Sequence, residues 1–145
     1  MLVFNDYPVG ASALRIVNAH ESLIAKDIRV LGLYPGQDTI LITLARSGQQ
    51  AQNTLAKAMQ VDHSTVAKSV RRLVNNGLAE TGKSSQDGRV TLVQLTPAGL
   101  KLAKQVEQIC QTVEEQSIQN LSPDEQAVFI KIANKICGNL EKIEV

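Results

Sequence analysis

The chain has 145 residues, 43% of them apolar and 20% charged, with a net charge of +1. That length is one domain's worth, and that balance excludes a disordered chain. With no Trp, and only Phe4, Tyr7, Tyr34 and Phe129 as aromatics, the core has to be aliphatic. No apolar run approaches the ~18 residues of a membrane span. Met1 to Asp6 lacks the basic and apolar stretches of a signal peptide. The expected compartment is therefore the cytoplasm.

Taken in order, residues 9–31 read as a helix, with Leu14, Val17, Ile24, Ile28 and Leu31 at helical spacing and Gly32 past its end. A second helix is expected from Pro35 to Arg46, with Ile40, Leu41 and Leu44 inward and Ser47-Gly48 as its stop. A short helix follows within 50–60, with Leu55, Ala58 and Met59 inward. Gln60-Val61-Asp62 leaves room only for a tight turn, and Asp62 can cap a helix that runs to Asn76 and stops at Gly77. Two short helices so joined form a helix-turn-helix.

The period then changes. Leu78 to Gly82 and Val90 to Leu95 are short and rich in strand formers, and the segment between them holds the hairpin pair Asp87-Gly88. Helix, helix, hairpin is the order of a winged helix. Thr96-Pro97 restarts a helix whose stripe is Leu102, Val106, Ile109 and Val113. Ser122-Pro123-Asp124-Glu125 reads as a capping box opening a last helix, with Phe129, Ile132, Ile136, Leu140 and Ile143 on one face. The fold class is mainly α with a small β-hairpin wing.

Charge is concentrated in the middle. Residues 51–90 hold Lys57, Lys68, Arg71, Arg72, Lys83 and Arg89 against Asp62, Glu80 and Asp87. On a helical wheel of 62–76, Val66, Val70, Leu73 and Val74 share one side. Ser64, Lys68, Arg71, Arg72 and Asn75 share the other, with Thr65 at its edge. Short hydroxyl side chains let a helix enter a major groove closely, and Lys or Arg reach guanine acceptors or phosphates. By itself such a wheel is also that of any surface helix. The hairpin that follows adds Lys83, Gln86 and Arg89, placed to reach a neighbouring minor groove. Asp87 can hold the Arg89 guanidinium in a bidentate contact.

These residues resemble the MarR (multiple antibiotic resistance regulator) family. The resemblance rests on Leu55-Ala56, on 61–66, on 73–78, and above all on Asp87-Gly88-Arg89 followed by Val90 to Leu95 and Thr96-Pro97-Ala98-Gly99. Gln37 and the Leu121 to Glu125 helix start also fit. The resemblance implies one MarR-like domain over 1–145, with a DNA-binding lobe at 33–97 and dimerisation helices at 1–32 and 98–145. It implies a homodimer on pseudo-palindromic double-stranded DNA, usually a repressor released by a small-molecule effector or an oxidant. Ser64, Thr65 and Lys68 would meet bases, and Arg71 and Arg72 phosphates. Arg89 would be the wing-tip arginine and Asp87 its partner. The chain departs from the family pattern at Thr81, Gly88 and Lys68, so the wing should hold phosphate more weakly and residue 68 should not grip guanine in a bidentate way.

The terminal helices carry more apolar positions than a small winged helix can cover; Leu102, Val106, Ile109 and Val113, with Phe129, Ile132, Ile136 and Leu140, favour pairing of two subunits, with packing inside one subunit as the alternative. No effector signature is legible: His20, Arg29 and Tyr34 fall in the region where the family's ligands sit, and His20 reads as a structural histidine. Two separated histidines make a metal site unexpected, and no cofactor is implied. Cys110 and Cys137 read as core thiols, with a thiol-based redox switch as the alternative. A winged-helix protein-interaction module without DNA binding is a further alternative, one that would not need four cations on one face. No nucleophile elbow, phosphate-cradling loop or zinc spacing points to an enzyme.

Overall fold

The computed structural model describes residues 6–143; the expectation about the first residues lies largely outside that range. Its residues fall into two compact units, the first running to Val113 and the second beginning at Glu114.

In the first unit, α1 (Pro8–Val30) opens on proline, whose missing N–H is no loss in a first turn. Gly32 then takes φ 77°, and the Leu33 N–H returns to the Ile28 carbonyl. The stripe expected along α1 is covered only at its C-terminal end. Ile28 is fully buried, whereas Leu14 and Val17 are about half exposed. Helix α2 (Gln37–Ser47) starts two residues later than the Pro35 expectation, because the left-handed Gly36 caps it. Ile40, Leu41 and Leu44 are buried as the periodicity predicts, and Gly48, at φ 71°, ends the helix.

A two-residue strand, β1 (Gln50–Ala51), precedes α3 (Gln52–Met59) and was not anticipated. In α3 the inward pair is Leu55 and Ala56; Ala58 is exposed and Met59 half-buried. Two turns are too few for periodicity to fix the phase of so short a helix, and Ala56 rather than Ala58 faces the core. Helix α4 (His63–Asn75) buries Val66, Val70 and Leu73. Strands β2 (Ala79–Lys83) and β3 (Thr91–Leu95) each start one residue later than the sequence suggested. They pair antiparallel with Thr81 opposite Val93, and β1 adds to the other edge of β3, giving the order β1-β3-β2.

Helix α5 (Pro97–Ser117) is locked to the wing's base by Thr96. Its hydroxyl donates to the Gly77 carbonyl at 2.7 Å and accepts the Gly99 N–H at 3.1 Å. Gly99 has a packing reason: a Cβ there would lie 1.9 Å from the Leu78 carbonyl oxygen. The core joins Ile28, Leu33, Leu41, Leu55, Val66, Leu73, Val93 and Val106, all aliphatic and all essentially inaccessible.

The second unit contains the end of α5 and α6 (Pro123–Glu141), opened by a complete capping box between Ser122 and Glu125. No residue of α6 is buried. Of its apolar stripe only Ile136 is half-buried, while Phe129, Ile132, Leu140 and Ile143 are exposed.

Candidate nucleic-acid interface

The N-terminus of α4 is organised by Asp62. Its carboxylate accepts the Thr65 N–H at 2.8 Å, the Thr65 hydroxyl at 2.7 Å and the Ser64 hydroxyl. These bonds, the Ser64 hydroxyl foremost, hold the Asp62 carboxyl far below the usual carboxylate range. A hydroxyl has one proton, and both protons here are engaged by Asp62. Ser64 and Thr65 therefore present acceptor oxygens outward, plus the Thr65 methyl. That suits the amino donors of cytosine or adenine and the thymine methyl. The spacing predicts Asp62 as a backbone cap; its hold on the two hydroxyls depends on side-chain rotamers that spacing does not encode.

The remaining predicted residues of α4, Lys68, Arg71, Arg72 and Asn75, are all exposed. None forms an ion pair among the described residues, where the salt bridges are Arg46–Glu107 and Arg89–Asp87. The two arginines leave the face on opposite flanks. Arg71 lines a shallow depression with Thr81 and Thr91 of the wing. Arg72 lies over the Tyr34 ring, 5.2 Å from its centroid, a cation–π contact that steadies the guanidinium. The wheel predicted both as outward cations but could not show these opposite neighbours.

In the wing, Lys83 Nζ donates to Thr91 Oγ1 at 3.1 Å across the strands. The Ser84 hydroxyl accepts the Gln86 N–H at 3.2 Å and that of Asp87 at 3.4 Å, folding the tip. Arg89 donates Nε to Asp87 Oδ1 at 3.2 Å and Nη2 to Oδ2 at 3.3 Å, and its backbone N–H reaches Oδ1 at 3.0 Å. Arg89 holds the Asp87 carboxyl below its ordinary range. The pair fixes the guanidinium plane while the side chain stays largely in solvent.

A separate cleft of about 560 Å³ opens between α1 and the start of α2, lined by His20, Glu21, Ile24, Ile28, Asp38 and Thr39 among others. His20 is half-buried there. Arg29 and Tyr34 do not line this cleft; Tyr34 is taken up by Arg72 instead. Of the two thiols, Cys137 is exposed, which corrects the core expectation, and Cys110 is half-buried. Burial first, then the Asp38 and Glu107 carboxylates, push the Cys110 thiol up, so it stays protonated and weakly nucleophilic. Among the described residues no three His, Cys, Asp or Glu side chains gather as a metal site. No described helix is long and apolar enough to cross a membrane.

Residues 33–99 match the winged helix DNA-binding domain family. The transcriptional regulator AdcR of Streptococcus pneumoniae is 30% identical over 132 residues, covering 88% of this chain and 89% of that protein. Among solved structures, a mutant MarR from E. coli complexed with operator DNA superposes with a TM-score of 0.83 at 24% identity, covering 94% of this chain and 99% of that one. PcaV from Streptomyces coelicolor, in complex with its natural ligand, gives a TM-score of 0.77 at 25% identity, covering 95% and 96%.

Proposed function

Because this chain belongs to the MarR family of winged helix-turn-helix DNA-binding transcription regulators, we propose that it acts as a homodimeric repressor of pseudo-palindromic promoter DNA. Residues 33–97 form the reading lobe, and 1–32 with 98–145 supply the pairing helices. Ser64, Thr65 and Lys68 meet base edges. Arg71, Arg72 and Asn75 meet the backbone beside them. Lys83, Gln86 and Arg89 meet the next minor groove, with Asp87 orienting Arg89. Two such lobes about 34 Å apart match successive major-groove faces. A small-molecule effector releases the DNA, and the α1–α2 cleft is its place. Chromosomal DNA as the target puts the site of action in the cytoplasm.

The observation that carries this reading is the division of α4: one side buried in the core, the other offering unpaired cations between a steadied Arg72 and a cationic wing. E. coli MarR with operator DNA and PcaV with its ligand support the two partner classes. Exposed Leu14, Val17 and Leu23 on α1, and Phe129, Ile132 and Leu140 on α6, support pairing.

Charge reversal tests it. A Lys68→Glu, Arg71→Glu variant should lose duplex binding at least a hundredfold while keeping its fold and oligomeric state. Unaltered duplex binding by that variant would reject α4 as the reading helix.

A further inference from the structure

On the flank of α4 away from the wing lies a pocket of about 270 Å³, lined by Tyr34, Gln37, Arg72, Asn75 and Asn76. Arg72 is its single ion, and none of the five side chains is acidic. Gln37 is only 1% exposed. Its Oε1 accepts the Tyr34 N–H at 2.8 Å, which fixes which end of the amide is which. Its Nε2 is then left as a buried donor with no hydrogen-bond partner. A buried donor without an acceptor is costly and calls for one. Beside it the Arg72 guanidinium lies over the Tyr34 ring, 5.2 Å from its centroid. That cation–π contact uses none of the guanidinium N–H groups in a hydrogen bond, and a guanidinium fork is well matched to an oxyanion.

We propose that this pocket seats one phosphate of the DNA backbone, so that Tyr34 and Gln37, at the start of α2, belong to the interface together with Arg72 and Asn75. The assignment rests on the DNA-binding reading above and extends the interface beyond the helix-turn-helix and wing. A duplex whose major groove receives the outer face of α4 carries its sugar-phosphate strands past the flanks of that helix. This flank offers a cation, three amides and a phenol, and no carboxylate to repel the strand. Tyr34 is a positioning residue for Arg72. Gln37 supplies the buried donor, and a phosphate oxygen is the acceptor it lacks.

The test uses the full chain and a duplex from directly upstream of its own gene, with a shuffled duplex as control, titrated over a range of salt. Arg72→Gln should weaken binding about tenfold and lower the slope of log affinity against log salt by about one. Tyr34→Ala should weaken it roughly three- to tenfold, and Tyr34→Phe much less, because the ring does the stacking. In the Arg72→Gln background, Tyr34→Ala should add almost nothing. Gln37→Glu keeps the acceptor for the Tyr34 N–H but turns the free donor into a negative oxygen; the buried charge should lower the thermal midpoint, and the protein that remains folded should lose duplex affinity. A single neutral methylphosphonate at the seated position should weaken wild type but not Arg72→Gln. An unchanged salt slope in Arg72→Gln overturns the seat, as does full-strength binding by a folded Gln37→Glu. If wild type itself does not prefer the upstream duplex to the shuffled one, the DNA-binding reading fails, and the seat with it.

Discussion

Helices α4 and α6 begin alike and end in opposite circumstances. Each opens on a side-chain cap, Asp62 accepting from Thr65 in one and Ser122 accepting from Glu125 in the other. Helix α4 buries Val66, Val70 and Leu73 and turns cations to solvent. Helix α6 buries nothing and leaves Phe129, Ile130, Ile132 and Leu140 more than half exposed. The first is complete within one chain and offers a polar face to a polar partner. The second offers an apolar face that only another apolar surface can satisfy. Local capping decides where a helix starts; the chemistry of its outer face decides what it is for.

The largest effect should come from spoiling the apolar face. A Phe129→Asp, Ile132→Asp variant should sediment as a monomer and bind the upstream duplex at least a hundredfold more weakly, since two linked lobes gain avidity that one lacks. A variant that remains dimeric would move the interface away from α6. Next comes the covered side of α4. Leu73→Ala removes a fully buried side chain and should lower stability by about 2–5 kcal/mol in denaturant titrations. Phe129→Ala, on an exposed residue, should cost far less in monomer stability; equal losses would erase the contrast between the two helices.

Gly99→Ala comes third. The added Cβ meets the Leu78 carbonyl at 1.9 Å, so the base of the wing must shift, at a cost of about 1–3 kcal/mol seen as a lower thermal midpoint. Asp87→Ala should leave stability nearly unchanged but loosen Arg89, weakening duplex binding a few-fold; a gain in affinity would mean that Asp87 masks Arg89 rather than aims it. The smallest effect concerns acid. The Asp62 carboxyl is depressed in the folded chain by its bonds to Ser64 and Thr65. Its contribution is therefore complete above the usual carboxylate range and fades as pH falls through that range and below. Asp62→Asn should show a shallower loss of thermal midpoint with acidification than wild type, and parallel curves would remove the carboxylate from the cap.

What could be read in advance follows from interaction range. The caps at Asp62 and Ser122, the restart at Thr96-Pro97 and the Asp87–Arg89 unit are contacts between near neighbours, so the sequence displays them. Strand β1 was invisible because two residues become a strand only by pairing with Val93 and Leu92 of β3. Periodicity points Ala58 inward, but a two-turn helix is too short to fix its phase, and Ala56, two positions earlier, fills the core instead. Tyr34 over Arg72, and the donor left on Gln37, join α2 to α4 across the fold, and no spacing encodes that. The α6 stripe shows the complementary limit: periodicity reveals a face that wants cover, not what covers it.

The most direct test of the central claim is a titration of the purified chain against duplex DNA from directly upstream of its own gene and against a shuffled duplex, at two salt concentrations. Preference for the upstream duplex is expected, with a steep loss of affinity as salt rises, the signature of phosphate contacts made by α4 and the wing. Absence of binding to either duplex at low salt would contradict it.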